Sequence, residues 1–278
     1  MSRPTMELFN RTLSLATDLV MAPLQGLSPS ISLLLLSAAM GILFLLAFRL
    51  TSNQEAIGRL RRRMAAHLLE FRLFQHSLGI QWSALSRMLL ANLIYLRYAG
   101  RPMLLMLVPL GLVLIQLDQW YGYQPLKPDE TALVSLKLSG EGDLTKVRLE
   151  TGDGLELVGR PLRSPRSGEV NWSVRPRRQG TQLLTFLFEG RQVRKEIVTS
   201  DQALARVSAV TPSRDFWDVL QHPGAAPLPP DSFAERISVN YPARRIDLLG
   251  WETHWLVFLL IVSTLAALAF KRLLRVQI

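Results

Sequence analysis

The stretch ISLLLLSAAMGILFLLAF, residues 31–48, sets the reading of the whole chain. It carries no charge, and the uncharged run extends back to Leu19. A helix needs about 20 apolar residues to cross a bilayer, fewer where aromatic or basic anchors finish it at the interface. Working outward, two more stretches have this character. PMLLMLVPLGLVLIQL, residues 102–117, is closed by Trp120, Tyr121 and Tyr123. Residues 251–270 are opened by Trp251 and Trp255 and followed by Lys271 and Arg272. Three buried helices of a large soluble domain would not carry interface residues at the ends where a membrane needs them. The runs predict three transmembrane helices, at 30–48, 102–121 and 251–270. Pro109 and Gly111 disfavour a soluble helix but are tolerated in a spanning one, with a kink expected near Pro109.

Composition agrees. Of the 278 residues, 49% are hydrophobic and only 19% charged, too few charges for an ordinary globular surface. The net charge is nevertheless +10, from 32 Lys and Arg against 22 Asp and Glu. Residues 49–101 hold nine arginines against Glu55 and Glu70, and residues 271–278 add Lys271, Arg272 and Arg275 with no acid. The rest of the chain sums to zero. The positive-inside rule places both basic stretches in the cytoplasm. The expected topology is a multi-pass protein of the inner (cytoplasmic) membrane, N-terminus outside and C-terminus cytoplasmic. Residues 1–29 lack the basic start of a signal peptide and read as an external amphipathic segment, with Phe9, Leu13, Val20 and Leu24 on one face, or as an extension of the first span.

The cytoplasmic segment 49–101 reads as an antiparallel helical hairpin. Ser52-x-x-Glu55 has the form of a capping box. Ile57, Leu60, Met64, Leu68 and Phe71 then follow at helical spacing, Ser77-Leu78-Gly79 interrupts, and Trp82, Leu85, Leu89, Leu93 and Leu96 resume the stripe into the second span. Arg59, Arg61, Arg62, Arg63 and Arg72 crowd the rest of the first helix. They serve topology and attraction to anionic lipid, or a docking surface for an acidic partner such as the ribosome or a nascent chain. No aromatic residues interleave with them as base-stacking platforms, so sequence-specific nucleic-acid binding is not expected.

Between 131 and 198 the period changes to two. Val134, Leu136 and Leu138 alternate, as do Val147 and Leu149, and Thr151-Gly-Asp-Gly154 turns the chain into Leu155 and Leu157. Val170, Trp172 and Val174, then Leu184, Phe186 and Phe188, then past Glu189-Gly190 Val193, Lys195 and Ile197, continue the pattern. This predicts a small all-β sandwich of immunoglobulin type over 122–200, with Trp172 in its core. Residues 201–250 read as an extracytoplasmic linker with a Pro-rich stretch at 222–231 and a last strand at Ile237, Val239 and Tyr241. The fold class is thus a three-span α-helical membrane protein with an external β domain.

Zero cysteines exclude disulfides, thiol catalysis and Cys-ligated metals. The four histidines are scattered without metal-binding spacing, and no nucleotide, hydrolase or metalloprotease motif occurs. No enzyme, cofactor or metal is expected. Polar residues inside the spans are the remaining functional candidates. Ser37, Gln116, Ser263 and Thr264 are the candidate lining of a polar groove, against the alternative that the hydroxyls bond their own helix backbones.

The order of span, basic hairpin, span, external segment, span and basic tail resembles the short three-span members of the YidC/Oxa insertase superfamily. These include small archaeal homologues, the receptor subunit for tail-anchored proteins and the matching subunit of the endoplasmic-reticulum membrane complex. The likeness is carried by Ser52-Asn-Gln-Glu-Ala-Ile-Gly-Arg-Leu-Arg-Arg-Arg-Met64 and Arg101-Pro-Met-Leu-Leu-Met-Leu-Val-Pro109, and covers 30–121 and 251–278. The resemblance implies energy-independent insertion of hydrophobic segments through a groove open to cytoplasm and lipid, with the hairpin recruiting nascent membrane proteins or the ribosome. Two features depart from it: no arginine lies inside a span, and a β domain separates the second and third spans. The alternative function is a structural or adaptor subunit whose β domain binds an extracytoplasmic protein partner.

Overall fold

The computed structural model describes residues 3–55, 58–59, 62, 65–66, 78–140, 142–248, 250–274 and 276. They fall into two compact units, Met1–Ser32 with Val113–Trp255, and Leu33–Leu112 with Leu256–Ile278.

Four helices matter first: α1 (Arg3–Met21), α2 (Pro29–Thr51), α3 (Leu78–Tyr121) and, at the C-terminal end, an apolar helix at Trp255–Phe270. Helix α2 and the Leu85–Tyr121 part of α3 are long and apolar enough to cross a membrane. The 44-residue α3 stays helical through Pro102 and Pro109, and at 1.5 Å per residue is about 66 Å long. The second hairpin helix and the second apolar run are therefore one rod. The first hairpin helix falls mostly outside the described residues. At its start, Ser52 Oγ accepts from the Gln54 side chain. The same Oγ donates to the Phe48 carbonyl at 2.5 Å, and Glu55 pairs instead with Arg59 at 3.4 Å.

The β region contains β1 (Ala132–Leu138), β2 (Arg148–Thr151), β3 (Leu155–Ser164), β4 (Glu169–Pro176), β5 (Gly180–Phe188), β6 (Arg191–Thr199) and β7 (Val210–Thr211). The short helix α4 (Phe216–Gln221) follows, then β8 (Ala234–Val239), β9 (Arg245–Leu248) and β10 (Trp251–His254), before the apolar helix at Trp255–Phe270, here α5. One antiparallel sheet has the order β3-β4-β1-β8-β7, and a second has the order β2-β5-β6. Their inward residues share one core that includes Val134, Leu136, Val170, Trp172, Leu184 and Phe186. Trp172 meets Phe186 edge to face at 5.6 Å between centroids. Full burial of each such side chain contributes roughly 1.5–3 kcal/mol. These are the residues that the two-residue alternation marks.

The β5–β6 hairpin closes on Glu189 (φ +47) and Gly190 (φ +81), with Phe188 paired to Arg191. A two-residue turn with both φ values positive matches the twist of the strands it joins. Strand β3 is one edge of its sheet, and its register slips between Val158 and Leu162 around Gly159 and Pro161. A bulge with a proline is a common way to blunt an edge.

Residues 201–250 are more ordered than a linker. They supply β7, α4 and β8, and a hairpin at their end. Residues 251–254, expected to open the third helix, instead pair back on 245–248, Trp251 opposite Leu248 and His254 opposite Arg245. Gly250 at φ +84 permits the turn, and its N–H donates to Asp247 Oδ1 at 2.9 Å. The apolar helix therefore starts at Trp255 and has 16 residues, about 24 Å.

Candidate functional site

Within the helical unit, α2, α3 and α5 leave a groove of about 420 Å³. Its floor is formed by Met40, Leu45 and Leu259, all buried. Its walls include Phe44 and Phe48 of α2, Tyr95, Met103 and Met106 of α3, and Leu260 and Leu268 of α5. Met103 and Leu107 are 60% and 62% exposed, so the wall from α3 faces out of the fold. Three methionines in the lining give it flexible, polarisable surface that adapts to irregular apolar shapes.

The helices can approach here because of Gly41. A Cβ at that position would overlap the Ser263 carbonyl oxygen, so α2 lies directly on the backbone of α5. Small residues at close helix crossings are how helices pack without a hydrophobic driving force between them.

The four sequence candidates for a polar groove are placed differently from one another. Ser263 and Thr264 line the groove. Both hydroxyls donate to the Leu260 carbonyl of their own helix, at 3.2 and 2.7 Å, so they add little polarity. Ser37 is buried, does not line the groove, and donates to the Leu33 carbonyl at 2.6 Å. Gln116 belongs to the other unit, where its Oε1 accepts from Ser14 Oγ of α1 at 3.3 Å. The groove is apolar. Of the arginines expected to form a docking surface, Arg59 and Arg62 are exposed, while Arg61, Arg63 and Arg72 lie outside the described residues.

In the β unit a polar clamp holds α1. Arg206 donates from Nη1 to both Asp18 oxygens at 3.1 and 2.9 Å, from Nη2 to Ser14 Oγ at 3.0 Å, and from Nε to Gln119 Oε1 at 2.8 Å. Asn10 Nδ2 donates to the Val219 carbonyl at 3.2 Å. A buried guanidinium, Arg244, donates from Nε and Nη2 to the Tyr123 carbonyl at 3.2 and 3.0 Å and from Nη1 to that of Ala203 at 2.5 Å. Burial pulls Arg244 below the ordinary arginine value. Within the same unit, Ser32 Oγ hydrogen-bonds with Tyr121 Oη at 2.9 Å and Ser30 Oγ donates to the Asp247 carbonyl at 2.9 Å.

These side chains carry no local sequence signal, since Asp18 and Arg206 are 188 residues apart. Arg206→Ala leaves Asp18 and Ser14 without their donor in a half-buried site. It is expected to destabilise the protein by about 1–3 kcal/mol and to expose α1 to protease. Thermal melting and limited proteolysis check this, and Arg206→Lys, which cannot bridge three acceptors with a planar fork, should recover only part of the loss.

Lys195 is another residue whose role only the fold makes visible. It is 4% exposed on the inward side of β6, and burial pushes its ammonium down to about 7. Tyr241, also buried, accepts the Val198 N–H at 3.0 Å, and burial pushes its phenol up to about 12. Compared with known proteins, the chain matches no family model, no curated protein and no solved structure.

Proposed function

We propose that this chain is a three-span membrane protein that shelters hydrophobic segments of other proteins on their way into the bilayer, as an insertase or membrane chaperone. The observation that carries the proposal is the apolar, methionine-containing groove built by all three apolar helices. It lies toward the ends marked by Phe48, Arg101 and Lys271, which the charge distribution assigns to the cytoplasmic side. About 420 Å³ accommodates several apolar side chains of a client helix. The exposure of Leu43, Leu104, Leu105 and Val108 supports a lipid-facing reading of α2 and α3, because a soluble core helix would bury them. The 24 Å length of α5 suits a span that crosses a locally thinned bilayer or is completed by the aromatic and basic residues at its ends.

A second reading, a structural or adaptor subunit, is favoured by the β region. Strands β1 to β6 follow the strand order of an immunoglobulin sandwich, β3-β4-β1 facing β2-β5-β6, with β8 in the place beside β1 that the first strand normally takes. Such sandwiches commonly present loops to protein partners.

A photo-activated crosslinker at Leu260, in the groove, separates the two. Newly made membrane proteins of many sizes are the expected adducts, with few from Leu43, which is exposed on α2 but outside the groove. One fixed adduct from Leu260, independent of translation, would support the adaptor instead.

A further inference from the structure

Helix α1 is mounted with its polar side inward. Asn10 and Ser14 are buried against the β unit and Asp18 is held by Arg206, while Leu15, Leu19 and Val20 are 60%, 77% and 53% exposed. A helix on a water-facing surface would be turned the other way. Of the side expected from the sequence, Val20 is exposed while Leu13 and Leu24 are half-buried. Beside α1 stands α4, fixed by the Asn10–Val219 hydrogen bond. Its Phe216 and Trp217 are 43% and 64% exposed and pack edge to face at 5.2 Å. Asp218 points away from them, its carboxylate accepting the Ser213 N–H at 2.6 Å and an Arg236 N–H at 3.2 Å.

We infer that Leu15, Leu19, Val20, Phe216 and Trp217 form one lipid-docking surface that seats the β unit on the outer leaflet of the bilayer. The occupant is lipid because the surface is continuous with a span. Only residues 22–28 separate α1 from α2, no charge occurs from Leu19 to Phe48, and the exposed Leu27 carries apolar surface between them. Tryptophan favours the depth at which such a surface would lie. Asp18 of α1 is neutralised by Arg206, the exposed Asp215 sits at the rim beside Phe216, and Arg11 on the exposed side suits anionic head groups. The surface gives the β unit a fixed height above the membrane.

The inference rests on the membrane reading above, and its test separates the two. Since the chain has no cysteine, single thiols are unique labels. Leu19→Cys, Trp217→Cys, Leu43→Cys and Ser167→Cys are labelled with a nitrobenzoxadiazole dye and reconstituted in phosphatidylcholine vesicles containing nitroxide lipids. Positions 19 and 217 are expected to be quenched about threefold more than 167, and most by nitroxides near the head group, whereas 43 responds most to nitroxides deep in the chains. Quenching at 43 with none beyond the level of 167 at 19 and 217 would overturn the docking surface and leave the spans standing. Loss of quenching at 43 as well would overturn both. Positions 19 and 217 shielded from water-soluble maleimide in native membranes but open in pure lipid vesicles would overturn it in favour of a protein partner.

Discussion

Lys195→Met is expected to stabilise the β unit near neutral pH and to remove part of its pH dependence. Lys195 lies between Val193 and Ile197 on the inward side of β6, opposite Leu184. Burial lowers its ammonium from the ordinary 10.5 to about 7, and the neighbouring Glu196 charge offsets this only in part. The folded chain thus binds fewer protons than the unfolded chain between about pH 7 and pH 10.5. Stability rises with pH across that window. Below about pH 7 lysine is charged in both states and the whole burial penalty is present. The penalty is on the order of 3–5 kcal/mol. Methionine keeps the length of the side chain without the charge. The variant should melt roughly 5–10 °C above wild type at pH 6, with the difference shrinking toward pH 10. Thermal melts at several pH values check this, and parallel curves for the two proteins would contradict it.

Gly41→Leu is expected to separate α2 from α5 and dismantle the groove. The new Cβ would collide with the carbonyl oxygen of Ser263 and come within 2.9 Å of its C and Cα atoms. These are backbone atoms of a helix and cannot rotate aside. Overpacking ordinarily costs about 1–3 kcal/mol, and a clash with backbone belongs at or above the top of that range. The helical unit should melt markedly earlier and lose its hydrophobic-segment crosslinks from Leu260. Even Gly41→Ala should show part of the effect, because the first carbon makes the clash. A Gly41→Leu protein with wild-type melting would mean that the two backbones do not meet.

Much of the architecture follows from periodicity. Uncharged runs mark α2, the distal half of α3 and α5, and strict alternation marks β1, β4, β5 and β6, because a single buried side of a strand forces every second residue to be apolar. Lys195 obeys that alternation while violating its chemistry, so its position was legible and its burial was not. Tertiary polar contacts defeat sequence reading differently. Asp18, Ser14 and Arg206 each look like an ordinary surface residue and Gln116 and Gln119 read as part of a span, and only the docking of α1 makes them a cluster. The 251–254 strand, Trp-Glu-Thr-His, was hidden because Trp251 reads as the aromatic anchor that opens the apolar run beside it. Ser263 and Thr264 reach the groove, yet their hydroxyls bond within their own helix, which makes the groove apolar where a polar one was expected.

The central claim is that the groove passes hydrophobic segments into lipid. The purified protein in proteoliposomes, supplied with an in vitro translated single-span client and no energy source, tests it most directly. Insertion, read as protease protection of the client, is expected to exceed that of empty vesicles several-fold, on the order of 1 kcal/mol of barrier lowering. It should fall toward the empty-vesicle level when Ala267→Trp fills the groove between α2 and α5. Equal insertion into empty and protein-containing vesicles, with the protein correctly folded and oriented, would contradict the account.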